Sequence, residues 1–198
     1  MKIKAIIFDM GGVVLNAQIE NAYEILATKL KITKDQFDEV KNKYIKDAQK
    51  GKITDEKMVK DISVELNISY EKILSYWKEA YSEVMIINSE VLSLVKKLKK
   101  DGFIVALISN TIGIHSNINK EREVYKEFNP VILSNEVGLI KPEKEIYELM
   151  LKKLNLSPKE CIFIDDRPEH LKPAVSIGMK GILFENNNQL IKAIKDNL

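Results

Sequence analysis

The chain has 198 residues, of which 45% are hydrophobic, and its 31 basic and 29 acidic side chains leave a formal net charge of +2. This length and hydrophobic content are sufficient for one buried core with a small satellite domain, and they exclude a chain that is disordered throughout. Because the charges nearly balance, neither a nucleic acid nor an anionic membrane is indicated as a partner.

Two features bear on the cellular compartment. The single cysteine, Cys161, cannot form an internal disulfide, which suits a reducing environment. The first apolar stretch is interrupted at Lys4 and ends at Asp9, so it is too short for a secretion signal or a membrane span. We therefore expect a soluble, cytoplasmic protein, either a monomer or a homodimer.

The first predicted element is a buried strand over residues 3–8, and a helix is predicted over residues 89–100. About eighty residues separate them, whereas a parallel crossover needs only about a dozen. Within this interval, four segments have apolar residues at three- and four-residue intervals with polar faces between. They are residues 19–30, 34–48, 54–66 and 70–85. The pattern predicts an inserted subdomain of four helices.

The remaining strands are predicted from short apolar runs that lack polar alternation and are rich in branched side chains. These runs are residues 103–108, 131–133, 161–164 and 181–184. A further helix is predicted over residues 143–154, directly after Pro142, and the helix over residues 89–100 ends at Asp101-Gly102. The alternation predicts an α/β fold with an open parallel sheet covered by helices.

Acidic residues follow two of the predicted strands. Asp9 comes directly after the first strand, and Asp165 and Asp166 come directly after the fourth. In an open parallel sheet, ligands bind beyond the carboxyl ends of the strands, where the strand order reverses. If these two strands are neighbours, three carboxylates converge and repel each other unless a hard cation such as Mg²⁺ lies between them. The sequence therefore predicts a metal site.

The other two strand ends carry groups that suit an anion. The second strand ends in Ser109, Asn110 and Thr111, and the third is followed by a segment that places Lys141 beside a predicted helix start. Each of these features alone is commonly a helix cap or a solvated charge. Together, in chain order at successive strand ends, they favour a catalytic site for an anionic substrate.

These four segments resemble the four motifs of the haloacid dehalogenase superfamily. The resemblance lies in residues 8–14, 107–111, 136–143 and 163–169, which read FDMGGVV, LISNT, EVGLIKPE and FIDDRPE. It covers the whole chain and is strongest for hydrolases that have a helical cap after the first motif (C1 cap, subfamily IA). It implies a Rossmann-like core of residues 1–15 and 87–198, with parallel strand order 5-4-1-2-3, and a cap of residues 16–86.

The resemblance also implies roles for the residues at the strand ends. Asp9 would be the nucleophile that forms an aspartyl-phosphate intermediate. Asp9, the backbone carbonyl of Gly11, Asp165 and Asp166 would bind Mg²⁺, with Asp166 in direct contact. Lys141 would hold the phosphoryl group and offset the negative charge around the nucleophile.

Substrate contacts are implied in the same way. Ser109 would bind the phosphoryl group together with Lys141, and Asn110 would steady the substrate. Residues 50–54, KGKIT, resemble the substrate-specificity loop of the cap, so Lys50 or Lys52 is expected to contact the leaving group. A solvated loop is the alternative for this segment.

Gly11 departs from the phosphatase pattern, because a second aspartate usually occupies this position and acts as the general acid and base. Glycine keeps its carbonyl for the metal but transfers no proton, which typically costs about a hundred- to ten-thousandfold in rate. Relatives that resemble the Asp-x-Gly-x-Val form, including sugar-1-phosphate phosphatases, are nevertheless hydrolases. We therefore expect reduced activity that favours leaving groups of low pKa, such as an anomeric hydroxyl, a phenol or an acyl group.

The two histidines receive weaker expectations. His170 stands where relatives often have an outer-shell metal partner, with Glu169 as an alternative, but a histidine at a helix start is more often a cap or packing residue. We therefore expect His170 to lie outside the site. His115 is a weak candidate for the missing acid.

The predicted function is magnesium-dependent hydrolysis of a small phosphorylated metabolite such as a sugar phosphate. One alternative is a 2-haloacid dehalogenase-like hydrolase, which needs no acid, but dehalogenases resemble Asp-x-Tyr-Gly-Thr at motif one and Met10-Gly11-Gly12-Val13 contains no tyrosine. The other alternative is a non-catalytic protein that binds a metabolite. Gly11 favours this alternative, whereas the repelling carboxylates argue against it.

Overall fold

The computed structural model describes residues 2–198 and contains one five-stranded parallel sheet. Its strands are β1 (Ala5–Phe8), β2 (Ile104–Ser109), β3 (Val131–Leu133), β4 (Cys161–Asp165) and β5 (Lys180–Leu183). Their order is β3-β2-β1-β4-β5, which is the predicted order 5-4-1-2-3 read from the other edge. The α/β fold class, the five strands and their order are therefore confirmed, with strand bounds shifted by at most two residues.

Five helices lie between β1 and α6 (Ser89–Lys100), the helix that leads into β2. They are α1 (Ile19–Leu30), α2 (Lys34–Lys41), α3 (Ile45–Gln49), α4 (Asp55–Leu66) and α5 (Tyr70–Val84). Four were predicted, but the segment over residues 34–48 forms two helices rather than one. The first of them ends at Asn42, a residue of low helix propensity, and the chain turns before α3 begins.

The inserted helices enclose a hydrophobic cluster of their own. Tyr23 of α1, Phe37 of α2, Met58 of α4 and Trp77 of α5 are each at most 5% exposed. Thr33 sets the start of α2 through a capping box, in which its hydroxyl accepts from the amide of Gln36. The cap is therefore held together by its own aromatic packing.

Six helices accompany the rest of the sheet. They are α6 (Ser89–Lys100), α7 (Gly113–Glu121), α8 (Ser134–Val137), α9 (Lys144–Leu154), α10 (Pro168–Ser176) and α11 (Asn187–Asn197), with 3₁₀ turns at Val124–Glu127 and Pro158–Glu160. Alternate residues of β1 face opposite sides, so Ile6 and Phe8 join the cluster containing α6 and α11 residues, and Ile7 joins that containing α9 residues. Burial on both faces explains why the strands show no polar alternation. Within residues 2–198, no helix combines the length and hydropathy that a membrane crossing requires.

Candidate active site

The sheet brings together the three carboxylates predicted to converge. β1 and β4 are parallel neighbours in which Phe8 lies opposite Ile164, so the next residues, Asp9 and Asp165, project from the same edge. Asp9, Asp165 and Asp166 each offer an oxygen within 4.8 Å of the others. All three ligand atoms are oxygens, which is the donor set that a hard divalent cation prefers.

Lys141 lies between two of these carboxylates. Its Nζ is 2.5 Å from Oδ1 of Asp9 and 2.7 Å from Oδ2 of Asp165, and its side chain is 1% exposed. Both carboxylates are also largely buried, so solvent screens the interaction only weakly. The ammonium thus offsets the repulsion between the carboxylates that the strand ends impose.

The protonation equilibria of the two carboxylates differ. Burial raises the pKa of Asp9 to about 6, against the opposing attraction of Lys141. Burial also acts to raise the pKa of Asp165, but Lys141 and the hydrogen bond from His170 outweigh it and lower that pKa to about 2. Burial lowers the affinity of Lys141 for its proton, yet the two carboxylates prevail and raise its pKa. Lys141 and Asp165 are therefore a charged pair at neutral pH.

Asp166 is held at one oxygen and leaves the other without a partner. Its Oδ2 accepts from Nε2 of Gln18 at 2.9 Å. Its Oδ1 is buried and has no hydrogen-bond partner among residues 2–198. A buried carboxylate oxygen without a partner is costly, and a cation in the acidic cluster would satisfy it.

The loop after β1 packs tightly against this carboxylate. Gly12 has φ of +78°, and a Cβ at this position would lie 2.1 Å from Oδ2 of Asp166. Only glycine therefore fits here, both in backbone conformation and in space. Gly11 lines the cavity beside Asp9, and the role of its carbonyl as a metal ligand stays a prediction. The residues at this edge fit a metal ion.

The end of β2 contributes both a surface for the substrate and a support for Lys141. Ser109 is 4% exposed and lines the cavity together with Asn110 and Thr111. The amide of Asn110 is committed to the backbone of Lys141, because its Nδ2 donates to the carbonyl at 2.8 Å and its Oδ1 accepts from the N–H at 2.8 Å. Asn110 therefore positions Lys141, and its contact with substrate stays a prediction.

His170 corrects one expectation. It was expected outside the site, but its Nδ1 lies 3.0 and 3.1 Å from the two oxygens of Asp165 and its side chain is 12% exposed. Because α10 begins at Pro168, its first turn folds His170 back over the end of β4. Glu169, the alternative partner, is exposed on the same turn. The combination of a strand-end aspartate with a helix starting three residues later could have indicated this contact.

The structure does not bring the two lysines of the predicted specificity loop into the cavity. Lys50 forms an ion pair with Glu143 at 2.5 Å, and Lys52 lies 3.4 Å from Asp47 with a side chain that is 63% exposed. Neither lines the cavity. The loop instead packs against the core, where a Cβ on Gly51 would lie 2.3 Å from the carbonyl of Asn135.

A cavity of about 280 Å³ separates the strand ends from the cap. Its cap wall includes polar side chains that no sequence motif marks as functional, because they occur singly on amphipathic helices. They are Glu20, Tyr23, Lys41, Asn42, Gln49 and Tyr81. The substrate-facing part of the cap is thus formed by α1, α2, α3 and α5.

His115 is also corrected, because it has a partner and cannot serve as the missing acid. Its Nε2 accepts from Nε1 of Trp77 at 2.9 Å, and its ring stacks on Tyr81 at 4.2 Å between centroids. Burial lowers the pKa of His115 to about 3. The ring is therefore neutral at physiological pH and joins α7 of the core to α5 of the cap.

The structure is thus an α/β protein whose parallel sheet gathers three carboxylates and a buried lysine at one edge, beneath inserted helices. The family model of the haloacid dehalogenase-like hydrolases matches residues 3–178, and the chain belongs to that family.

Three similar proteins illustrate the range of the family. Bifunctional epoxide hydrolase 2 of Sus scrofa is 28% identical over 98% of the chain, which spans 39% of that protein's length. D-ribitol-5-phosphate phosphatase of Bacteroides thetaiotaomicron is 24% identical over 93% of each chain. The crystal structure of a HAD family enzyme from the same bacterium, in complex with magnesium and inorganic phosphate, superposes with a TM-score of 0.74 at 26% identity, over 92% of this chain and 94% of that one.

Proposed function

We propose that the chain is a Mg²⁺-dependent phosphomonoester hydrolase that uses Asp9 as its nucleophile on a small phosphorylated metabolite. The observation that carries the proposal is the cluster of Asp9, Asp165, Asp166 and Lys141, of which Asp9 and Lys141 line the cavity under the inserted helices. Membership of a hydrolase family and similarity to a structure that contains magnesium and phosphate support it.

Asp9, Asp166 and the carbonyl of Gly11 would hold the cation, and Asp165 would support the cluster from β4. Bound there, Mg²⁺ supplies positive charge that offsets the carboxylates and the phosphoryl oxygens. The partnerless Oδ1 of Asp166 is the ligand atom of that residue in this scheme, because Oδ2 is occupied by Gln18.

Hydrolysis proceeds in two displacements. A carboxylate oxygen of Asp9 attacks phosphorus, an aspartyl-phosphate bond forms, and the bond to the leaving alcohol breaks. Water then attacks the same phosphorus, which releases inorganic phosphate and restores Asp9. Ser109 and Lys141 line the cavity beside Asp9 and bind the phosphoryl oxygens, and Lys141 stabilises their charge in both steps.

Neither Gly11 nor His115 can donate a proton to the leaving alcohol. Gly11 has no side chain, and His115 is neutral and engaged with Trp77. The rate should therefore rise steeply as the pKa of the leaving group falls, as in anomeric phosphates and aryl phosphates. Sugar and polyol phosphates form the first class to test, since the name of the D-ribitol-5-phosphate phosphatase relative supports a polyol ester, whereas the dependence on leaving-group pKa rests on Gly11 and His115 alone.

The test is phosphate release from a panel of sugar, alkyl and substituted phenyl phosphates, with Mg²⁺ and with chelator. The native chain is compared with Asp9→Asn, and Asp196→Asn on the exposed face of α11 serves as the matched control. We expect release that requires Mg²⁺, is abolished in Asp9→Asn and persists in Asp196→Asn. Release that survives chelation or the loss of Asp9 would contradict the proposal, and so would the absence of release from every ester.

Within the same panel, the series of phenyl phosphates measures the dependence on the leaving group. A Gly11→Asp variant should speed the poor leaving groups by up to about a hundredfold and leave the good ones nearly unchanged. A Cβ at Gly11 has room, since its nearest neighbour is the terminal methyl of Met85 at 3.7 Å. A flat dependence in the native chain would show that protonation does not limit the rate.

A further inference from the structure

Lys41, at the end of α2, is a buried cation on the cap wall of the cavity. It is 7% exposed and lines the same cavity as Asp9. Its Nζ donates to Oδ1 of Asp38 at 2.5 Å and lies 4.0 Å from the centre of the Tyr23 ring. An ammonium has three N–H donors, and Asp38 is its only hydrogen-bond acceptor among the described residues. Lys41 therefore retains donors that can serve a ligand.

Tyr23 offers a second free group on the same wall. The residue is 5% exposed, and its ring is held by a tilted contact with Phe37 and an edge contact with Trp77, at 5.9 and 5.8 Å between centroids. A buried tyrosine hydroxyl usually has a hydrogen-bond partner, as that of Tyr81 does in Asn119. The hydroxyl of Tyr23 has none within residues 2–198, yet it is not fully enclosed, so it opens to the cavity that Tyr23 lines.

The charges on this wall are balanced. Lys41 of α2 is paired with Asp38, and Glu20 of α1 is paired at 2.6 Å with Arg167, which lines the cavity from the core side. A second anionic group on the substrate would therefore meet the carboxylate of Glu20 as well as cations that are already paired. An uncharged hydroxyl suits the wall better, because it accepts from an ammonium and exchanges hydrogen bonds with a phenol without adding charge.

We propose that Lys41 and Tyr23 form a subsite that binds an uncharged hydroxyl oxygen on the leaving alcohol, so that polyol phosphates are selected over alkyl phosphates of equal length. The subsite deepens the hydrolysis proposed above and rests on it for its place in a reaction. Its binding step is measurable without turnover. The positions of Lys41 and Tyr23 on one cavity wall define the subsite, and Asp38 and the aromatic ring hold the ammonium there.

The test compares binding of ribitol 5-phosphate and n-pentyl phosphate to the Asp9→Asn protein by calorimetry with Mg²⁺ present. We expect the polyol ester to bind more tightly, and its preference to fall about tenfold in Lys41→Met and about fivefold in Tyr23→Phe. Tyr23→Phe retains the ring and so separates loss of the hydroxyl from loss of packing. Thermal unfolding of each variant is measured alongside.

Lys34→Met is the matched control, because Lys34 pairs with the other carboxylate oxygen of Asp38 but does not line the cavity. The preference of this variant for ribitol 5-phosphate over n-pentyl phosphate should equal that of the Asp9→Asn protein. An equal fall in Lys34→Met and Lys41→Met, or equal binding of the two esters, including none, would overturn the subsite. If the polyol ester binds more tightly than the alkyl ester but the native chain hydrolyses no ester, the hydrolase proposal is refuted and the subsite is retained. If the native chain hydrolyses the esters but the substitutions leave the binding preference unchanged, the subsite is refuted and the hydrolase proposal is retained.

Discussion

The two walls of the cavity hold their charges in different ways. On the sheet wall, Asp9, Asp165 and Lys141 are at most 7% exposed and contact one another directly, at positions set by the register of β1 and β4. On the cap wall, Lys41 and Glu20 lie on separate helices, and each is paired with a single residue of opposite charge. In the proposed mechanism the sheet holds the groups that carry out the chemistry, whereas helix faces can vary the groups proposed to recognise the substrate without disturbing the sheet.

The largest effect should come from removing the cation of the sheet wall. Lys141→Met leaves two buried carboxylates without their ammonium, and we expect kcat to fall about a thousandfold. Without Mg²⁺ the free energy of unfolding should fall by about 3–5 kcal/mol. Urea denaturation and steady-state kinetics measure both effects.

Lys144→Met is the control for this change, since Lys144 pairs with Glu148 at 2.9 Å on the exposed surface of α9. It should leave rate and stability unchanged. If Lys141→Met were as stable and active as this control, the sheet wall would not depend on its buried ion pair.

A smaller effect should follow from a methyl group beside the metal ligand. In Gly12→Ala the new Cβ meets Oδ2 of Asp166 and displaces that carboxylate, so Mg²⁺ affinity measured by calorimetry should fall at least about tenfold. Gly102→Ala is the control, because Gly102 also has positive φ but a Cβ there meets no atom within 4 Å. Equal losses of Mg²⁺ affinity in the two variants would trace the effect to backbone strain and away from Asp166.

The last effect concerns the junction between the walls, at His115, and is seen only in the pH dependence of stability. Its pKa falls from the ordinary 6.5 to about 3 on folding, so the unfolded chain binds the proton more readily. The contribution of His115 to the free energy of unfolding should therefore fall as the pH falls from about 6.5 towards 3, by about 2 kcal/mol between pH 7 and pH 5. Folding raises the pKa of Asp9, so Asp9 makes the folded state more stable as the pH falls, which opposes the effect of His115. The free energy of unfolding in urea is therefore measured at both pH values for the native chain and for His115→Phe.

The aromatic substitution keeps the stack on Tyr81 and removes the titrating group, and it carries the same Asp9 contribution as the native chain. The native protein should lose about 2 kcal/mol more than His115→Phe over this interval. Identical pH dependence in the two proteins would show that His115 does not titrate on unfolding.

The sheet wall was predictable because its residues follow successive buried strands and because the resemblance to the haloacid dehalogenase superfamily implied the order of those strands. Buried strands without polar alternation predict a parallel sheet, and parallel strands bring their carboxyl ends to one edge. Asp9 and Asp165 therefore had to meet once β1 and β4 were neighbours. The contact of His170 with Asp165 was missed because it depends on where within its turn α10 begins.

The cap wall was not predictable in the same way. Tyr23 and Lys41 occupy positions that an amphipathic pattern assigns to packing or to a solvated face, and only the docking of the helices shows that they line a cavity. Lys50 and Lys52 were selected by resemblance to a loop, but that loop packs on the core through Glu143 and Asn135. The docking of the helices on one another decides which side chains line the cavity, and a local sequence pattern does not encode that docking.

The chain contains a single tryptophan, and the hydrogen bond from Trp77 to His115 places it where α5 meets α7. Its indole fluorescence therefore comes from one location, between the catalytic wall and the helices that cover it. The unlabelled protein carries its own optical probe of the junction, and a change in emission on adding a ligand reports on that junction alone.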